Sequence, residues 1–262
     1  MTARVCGLIG CLLALVMLPL RSTLAAELYA SIIIDDLGDN LQQVKSVAAL
    51  PGPVAIAVMP DTPYADRALK LARKQGKQVL LHMPMQAIEH KKMAPGYLGL
   101  HMSREDFIAR VRQSLDSLPG VVGLNNHMGS LITRHPGHMG WLMSTLAEKE
   151  SLLFVDSRTT DQSVAMQIAS EYDVPSVQRD VFLDPDYDRA TIRRQFDRFI
   201  SLVRQNGSAL AIAHPHPNSL ELLRRRLPEL AEHGIKLVPL TDYVSRRNRQ
   251  HVSCSGTACA GM

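Results

Sequence analysis

The chain has 262 residues, of which 46% are hydrophobic, and its formal net charge is +4. This length and apolar content allow one large domain or two small ones with a sizeable core, and single-domain α/β barrels often have this size. Arg4 and Arg21 lie in a segment that we expect to be removed, which leaves 27 basic against 25 acidic side chains. This balance predicts no obligatory nucleic-acid partner.

The first 26 residues have the pattern of a secretory signal peptide. Arg4 supplies a short basic region, residues 5–20 are an apolar run, and Leu24-Ala25-Ala26 offers small residues for cleavage after Ala26 or Ala25. An uncleaved membrane anchor is the alternative, although the apolar run is barely long enough to span a bilayer. We therefore expect a periplasmic protein without stable membrane insertion after signal cleavage.

Two cysteines, Cys254 and Cys259, remain once the signal peptide is removed. They lie in a basic tail containing Gly and Ser, residues 246–262, which we expect to be poorly ordered. In an oxidising compartment the two thiols could close a small disulfide loop. A metal site built on this pair alone would lack ligands.

Apolar, β-rich segments alternate with amphipathic segments over residues 27–245, and we find no internal repeat. The strand candidates are residues 29–34, 54–58, 79–81, 121–124, 152–155, 209–213 and 236–240. The helix candidates are residues 62–75, 103–118, 139–149, 190–205 and 220–232. This alternation predicts an α/β fold with about seven parallel strands joined by crossover helices, as a closed barrel or an open sheet.

The first strand candidate ends in two adjacent carboxylates. Residues 32–38 read Ile-Ile-Ile-Asp-Asp-Leu-Gly, and three β-branched residues in a row indicate a strand buried on both faces. The carboxyl end of a parallel strand faces the crevice in which such folds bind ligands. Asp35 and Asp36 could anchor a turn by hydrogen bonds, or one could bind a metal while the other moves protons.

Unusual polar residues also follow most of the other strand candidates. They are His82 after the third, Asn125-Asn126-His127 after the fourth, Asp156-Ser157-Arg158 after the fifth and His214-Pro215-His216 after the sixth. Parallel strands bring these ends to one rim of the fold. One Asp with two or three His would bind zinc and leave a position for water, which suits hydrolysis of an amide or ester.

Each of these residues also has an ordinary structural explanation. His82 could be a hydrogen-bonded core histidine, Asn125-Asn126 a turn, and Asp156-Ser157 a helix cap. The histidines away from the strand ends, including His135 and His138, are expected at the surface. The convergence of polar strand ends, more than any single residue, therefore predicts a site.

Five ordered motifs resemble the divergent polysaccharide deacetylase family, of the type called YibQ in enterobacteria. They are Ile-Ile-Ile-Asp35-Asp36-Leu-Gly38, Leu-Leu-His82-Met-Pro-Met, Asn-Asn-His127-Met-Gly-Ser, Val-Asp156-Ser-Arg158 and Ala-His214-Pro-His216-Pro. The resemblance extends over residues 27–245. It implies a distorted (β/α) barrel similar to that of the NodB-type carbohydrate deacetylases, and metal-assisted hydrolysis of N-acetyl groups on glycans.

The resemblance implies a role for each residue at the metal. Asp35 corresponds to the catalytic base, while Asp36 and His82 correspond to ligands of a divalent metal ion, with zinc the expected ion. The second metal-binding histidine of the NodB pattern is absent, and Gln86 or a neighbour stands in its place. His127 is the candidate that replaces this ligand.

Further roles follow from the later motifs of the resemblance. His214 falls where the family supplies a histidine that acts as general acid, and His216 could be the acid, a further ligand or a substrate-binding residue. Asp156 and Arg158 resemble the segment that orients the base and the histidine. Asn126 is expected to contact the substrate.

These expectations add up to a periplasmic, metal-dependent hydrolase of amide, N-acetyl or ester groups on a cell-envelope glycan, such as peptidoglycan. The missing histidine favours an alternative, a catalytically inactive glycan-binding or scaffold protein that retains the barrel. A zinc amidohydrolase centred on His214-Pro215-His216 is a third hypothesis, although the paired histidines of those barrels come early in the chain.

Overall fold

A computed structural model of the chain describes residues 27–89, 92–149 and 151–256, with side chains up to residue 249. The predicted signal peptide, residues 1–26, lies outside this part, and so do the side chains of the predicted Cys254–Cys259 pair. No helix in the described part is long and apolar enough to cross a bilayer.

In this described part, nine parallel strands form one curled sheet, which has the shape of a half-barrel. They are β1 (Leu28–Leu37), β2 (Ala55–Val58), β3 (Val79–Met85), β4 (Gly123–Met128), β5 (Leu153–Asp156), β6 (Ser176–Gln178), β7 (Val181–Phe182), β8 (Ser208–Ala213) and β9 (Ile235–Leu237). Eight strands follow the order β6-β5-β4-β3-β2-β1-β8-β7, and β9 also pairs with β1. The predicted α/β fold of the distorted-barrel type is confirmed.

The seven predicted strands correspond to β1 to β5, β8 and β9. The two that the sequence did not indicate are β6 and β7, which have three and two residues. Such short strands cannot show an alternating or continuous apolar pattern, because the pattern needs four or more residues.

Within the described residues, eight α-helices connect and cover the strands. They are α1 (Leu41–Ala48), α2 (Ala65–Lys74), α3 (Arg104–Ser117), α4 (Pro136–Ala147), α5 (Ala165–Glu171), α6 (Arg189–Asn206), α7 (Pro217–Glu229) and α8 (Leu240–Gly256). The five predicted helices correspond to α2, α3, α4, α6 and α7. Helix α8 runs through the first part of the segment from residue 246 that we expected to be poorly ordered.

Strand β1 is buried on both faces, as its apolar run predicts. Ile32 and Ile34 of β1 pack in the large core between the sheet and the helices. Ile33, between them, packs in a second core inside the curl, which includes Leu240 and Tyr243 of α8. The apolar residues of β1 thus serve both cores, and the polar residues Asp35 and Asp36 come only at its carboxyl end.

One histidine expected at the surface is buried. His138 of α4 is only 5% exposed, and its ring packs against the rings of Phe107 and Trp141. The prediction for His138 was therefore wrong, because its position on the inner face of α4 depends on how α3 and α4 pack. His135, three residues earlier, is exposed as expected.

Candidate metal and catalytic site

A bulge at the end of β1 brings two adjacent carboxylates to the same site. Neighbouring side chains of a regular strand point to opposite faces. Here the pairing of β1 with β2 shifts register between Ile34 and Leu37, and Asp36 has a left-handed φ of 57°. As a result Asp35 and Asp36 both reach His82, whose Nε2 is 3.8 Å from Asp35 Oδ2 and 3.0 Å from Asp36 Oδ1.

Three side chains from β1, β3 and β4 meet around one point. Asp36 Oδ1 lies 3.0 Å from His82 Nε2 on β3 and 2.8 Å from His127 Nδ1 on β4. The two histidine nitrogens are 3.2 Å apart. Metal bonds of about 2.0–2.1 Å in a tetrahedral site place ligand atoms about 3.3 Å apart, so these separations approach those of a metal site.

The hydrogen bonds of His82 show which of its ring nitrogens is available to bind a cation together with Asp36 and His127. His82 Nδ1 donates to Asn125 Oδ1 at 2.9 Å, because Asn125 Nδ2 is used to donate to Asp35 Oδ1 at 2.8 Å. In the neutral ring Nε2 then carries a lone pair, and it faces a carboxylate oxygen and a second imidazole nitrogen. Negative charge and lone pairs directed at one point fit a divalent cation, with a nitrogen-rich set that suits zinc.

The electrostatics of the three groups agree with this arrangement. Burial alone would raise the pKa of Asp36, but hydrogen bonds from His127 and His82 outweigh it and hold the pKa well below its usual value. Burial would lower the pKa of His82, yet the charges of Asp35 and Asp36 raise it. The site therefore attracts positive charge strongly, whether as protons or as a metal ion.

Asp35 occupies a position suited to a proton acceptor. It is 3% exposed, and burial raises the pKa of its carboxyl group above the ordinary value. Asn125 holds one carboxylate oxygen, and the other faces His82. Asn125 thus links the candidate base to the candidate ligand His82, a role that the sequence did not indicate because an Asn-Asn pair is equally typical of a turn.

His214, after β8, faces the same point from the opposite side. Its Nε2 is 3.7 Å from Asp36 Oδ2, and its Nδ1 donates to Asp184 Oδ1 at 3.0 Å. Asp184 Oδ2 accepts from the backbone N of His214 at 2.8 Å and from Ser219 Oγ at 2.6 Å. Although burial would lower the pKa of His214, the Asp184 hydrogen bond and nearby carboxylates raise it to about 9.

Sequence reasoning missed Asp184, which holds His214. The residue directly follows Val181-Phe182-Leu183, a short apolar segment that contains β7. An aspartate at the end of such a segment matches the pattern seen after β1 and β5. The signal was therefore present, but the segment was too short to be identified as a strand.

Asp156 and Arg158 lie beside the site and contact neither Asp35 nor His214. Asp156 Oδ1 accepts from the backbone N of Arg158 at 2.7 Å, and burial raises the pKa of Asp156. The Arg158 guanidinium instead donates to Gln178 at 2.9 Å. In this structure Asn125 and Asp184 make the contacts that we expected from this segment.

The predicted substrate-binding residues have structural partners. Asn126 Oδ1 accepts from the backbone N of Ser157 at 2.9 Å, and its Nδ2 donates to Met128 O at 2.6 Å. His216 caps α7 and stacks on Tyr187 with ring centroids 4.3 Å apart. Contact of Asn126 or His216 with a substrate stays a prediction.

Gln86, which with its neighbours was predicted to stand in place of the second histidine of the NodB pattern, is not part of the group formed by Asp36, His82 and His127. Its Oε1 accepts from the backbone N of Leu100 at 2.9 Å. The residue thus holds the loop after β3, and His127 takes the third position around Asp36.

The site opens into a cavity of about 520 Å³. Its walls are formed by Asp35, His82, Asn126, His127, Met128, Ser157, Arg158, Thr159, Arg179, Phe182, Tyr187, Ile212 and His214. The mixture of aromatic, apolar and hydrogen-bonding side chains is typical of a small-molecule site, and the volume is sufficient for one or two sugar units.

Comparison with known proteins shows which sequences this chain resembles. Residues 32–244 match the sequence model of a family described as "Divergent polysaccharide deacetylase". An uncharacterized Haemophilus influenzae protein is 40% identical over 213 residues, which cover 81% of this chain and 75% of that protein. The uncharacterized protein YibQ of Escherichia coli is 36% identical over 200 residues, covering 76% of this chain and 62% of that longer relative.

A solved structure also shares the fold. The crystal structure of an uncharacterized protein from Agrobacterium tumefaciens superimposes with a TM-score of 0.80 and 23% sequence identity. The superposition covers 84% of this chain and 90% of that one. It extends the likeness in fold over nearly the whole described part.

Proposed function

Because this chain belongs to the divergent polysaccharide deacetylase family, we propose that it is a metal-dependent hydrolase that removes acetyl groups from a cell-envelope glycan in the periplasm. The observation that carries the proposal is the meeting of Asp36, His82 and His127 between Asp35 and His214. A metal site flanked by one buried carboxylate and one charged imidazole has the parts needed to hydrolyse an amide.

Asp36, His82 and His127 would hold the metal ion. When bound there, a divalent metal polarises the acetyl carbonyl and lowers the pKa of a water molecule. Asn125 fixes the tautomer of His82 through Nδ1, so that Nε2 is free to bind the ion. The same asparagine keeps the Asp35 carboxylate in place through its amide nitrogen.

Asp35 and His214 would move the two protons of the reaction. A water oxygen attacks the carbonyl carbon while Asp35 takes a proton from that water, which its raised pKa favours. The carbon–nitrogen bond then breaks, and His214 Nε2 gives a proton to the leaving amine. The products are acetate and a free amino sugar, and Asp184 keeps His214 charged before the transfer.

The experiment uses the purified chain, stripped with a chelator and reloaded with Zn²⁺. We expect about one bound zinc per chain and release of acetate from N-acetylglucosamine oligosaccharides only in the loaded protein. His82→Ala and His127→Ala should each weaken zinc binding by more than the roughly 10–100-fold that loss of an outer-shell partner costs. His101→Ala, at an exposed histidine away from the site, is the control and should keep full zinc binding.

Zinc binding that is equal in all four proteins would refute the site. The melting temperatures of the metal-free proteins distinguish loss of a metal-binding residue from loss of the fold. His82→Ala and His127→Ala should melt at the same temperature as the metal-free wild type.

The alternative function is glycan binding without turnover. It is favoured by the absence of the second histidine of the NodB pattern, in whose place Gln86 or a neighbour stands, and the Gln86 side chain accepts a hydrogen bond from the loop residue Leu100. Oligosaccharide binding that persists in chelator, with no acetate released after zinc loading, would establish this alternative instead.

A further inference from the structure

A second, strongly polar groove of about 650 Å³ adjoins the candidate metal site. Four residues, Arg158, Thr159, Arg179 and Phe182, form walls of both this groove and the site cavity. The two spaces meet along these residues. A chain of sugars with one unit at the metal site can therefore continue into the groove.

The groove carries excess positive charge. Its walls include the arginines Arg158, Arg179 and Arg198 and the aspartates Asp161 and Asp180. One of the two aspartates is already neutralised, as the contacts of Asp180 show. The groove walls therefore carry three guanidinium groups and one exposed carboxylate, that of Asp161, which is not neutralised in this way.

Asp180 is neutralised from behind the groove by Arg247 of α8. The guanidinium of Arg247 donates to Asp180 Oδ2 at 2.8 Å and to Oδ1 at 3.0 Å. Asp180 Oδ2 also accepts from the backbone N of Leu210 at 2.7 Å. This carboxylate therefore has little capacity left to balance the groove arginines.

Arg179 is held in place at the junction of the two cavities. Its Nε donates to Ser157 O at 2.7 Å and its Nη2 to Arg158 O at 2.9 Å, and its guanidinium lies 5.0 Å from the ring centroid of Phe182. Burial lowers its pKa, which the charges of Asp156 and Asp35 partly offset. A fixed guanidinium loses little freedom on binding a planar or tetrahedral anion.

None of the three groove arginines has a carboxylate oxygen within ion-pair distance among the residues with described side chains. Two other arginines, Arg189 of α6 and Arg226 of α7, do have such partners, Glu221 and Asp197. Unpaired cations in a concave surface concentrate a potential that favours anions.

We propose that this groove binds an anionic substituent, a carboxylate or a phosphate, carried by the glycan whose acetyl group lies at the metal site. The proposal rests on the proposed function for the location of the acetyl group. It narrows the substrate class to acidic, acetylated glycans, and it makes Arg198 a specificity residue that lies outside the reacting atoms.

The test compares three tetrasaccharides of equal length by calorimetric titration of the chelator-treated chain. The first is neutral and contains only N-acetylglucosamine, the second alternates it with N-acetylmuramic acid, and the third carries a terminal phosphate. We expect one or both acidic sugars to bind about tenfold more tightly than the neutral one at low ionic strength. The difference should shrink as salt screens the arginines. Tighter binding of the second sugar alone identifies a carboxylate, and of the third alone a phosphate.

Arg198→Gln should reduce the ratio of acidic to neutral affinity by about three- to tenfold. Arg193→Gln is the matched control, because Arg193 is also exposed on α6 but lines a different cavity. Equal affinity for all three sugars, or an equal loss of the ratio in both variants, overturns the proposal.

The two proposals can fail separately in this design. Discrimination between acidic and neutral sugars without acetate release after zinc loading would support the groove and refute the deacetylase. Acetate release at equal rates from all three sugars, unchanged by Arg198→Gln, would support the deacetylase and refute the groove.

Discussion

Replacement of Asp184 by Asn removes the carboxylate that keeps His214 charged and leaves the shape of the side chain nearly unchanged. The carboxylate of Asp184 accepts three hydrogen bonds, two from His214 and one from Ser219. An amide oxygen can still accept from the backbone N of His214 and from Ser219. Its NH₂ group then faces His214 Nδ1, which must accept a hydrogen bond and so must be unprotonated.

The size of the effect follows from the raised pKa of His214. The difference between its pKa of about 9 and the ordinary 6.5 corresponds to roughly 3 kcal/mol in favour of the charged ring. Since the pKa is higher in the folded than in the unfolded chain, this stabilisation is complete below about pH 6.5 and is lost as the pH rises through about 9. Asp184→Asn should remove most of it, because the Asp184 hydrogen bond is the largest favourable contribution.

The assay is a titration of the His214 imidazole by NMR in chelator-treated protein, since a bound metal would cancel part of the charge of Asp36. We expect the pKa of His214 to fall towards the ordinary value in Asp184→Asn. In zinc-loaded protein we expect acetate release to fall by about 10²–10⁴-fold, the typical effect of losing a positioned proton donor. In the wild type, the charged His214 ring should make the free energy of unfolding larger at pH 6 than at pH 9. In Asp184→Asn this difference should largely disappear.

An unchanged pKa of His214 in Asp184→Asn would refute this reasoning. The charge of His214 would then have to come from Asp36 and Asp35 alone. Ser219→Ala serves as the control, because it removes one hydrogen bond to Asp184 while leaving its negative charge. That variant should keep a raised pKa for His214.

Two further predictions concern stability. Ser31 of β1 is fully buried, and its hydroxyl has no hydrogen-bond partner among the described residues. Ser31→Ala should therefore raise the free energy of unfolding, measured in urea, by about 1 kcal/mol. A decrease would contradict this prediction, because it would mean that the hydroxyl makes a stabilising hydrogen bond. Gly38 has a φ of 127°, and an added Cβ would overlap the side chain of Thr62. Gly38→Ala should therefore lower the melting temperature and reduce the free energy of unfolding by about 2 kcal/mol or more. Gly76→Ala is the control for Gly38, since Gly76 also has a positive φ but no other atom lies within 4 Å of the place that its Cβ would occupy.

The sequence predicted most of the long strands and helices, with the 17-residue helix α8 as the exception. The continuous apolar run of β1 and the amphipathic pattern of α6 both gave elements close to those observed, because burial on one or two faces leaves a periodic record in the sequence. It failed at β6 and β7, which are held by pairing with β5 and β8 and are too short for a period. It also failed at His138, whose burial depends on the packing of α3 against α4.

Some residues of the candidate site could be predicted from the sequence, and others could not. Strand-end residues Asp36, His82 and His127 could be selected from sequence because polar groups at the ends of parallel strands converge on one rim. Their roles, like those of Asp35 and His214, came from a family resemblance and remain predictions. Asn125 and Asp184 emerged only from contacts, since an Asn-Asn pair is equally typical of a turn and the apolar segment before Asp184 is too short to be identified as a strand.

By itself the sequence determined that strands of this chain would be parallel and buried, and that their carboxyl ends would be rich in Asp, Asn and His. Only the tertiary structure decided that two neighbouring carboxylates share one site. Strand geometry directs adjacent side chains to opposite faces, and the left-handed φ of Asp36 at the bulge in β1 reverses that rule at one residue. Such a bulge arises from how β1 pairs with β2, which is a property of the assembled sheet.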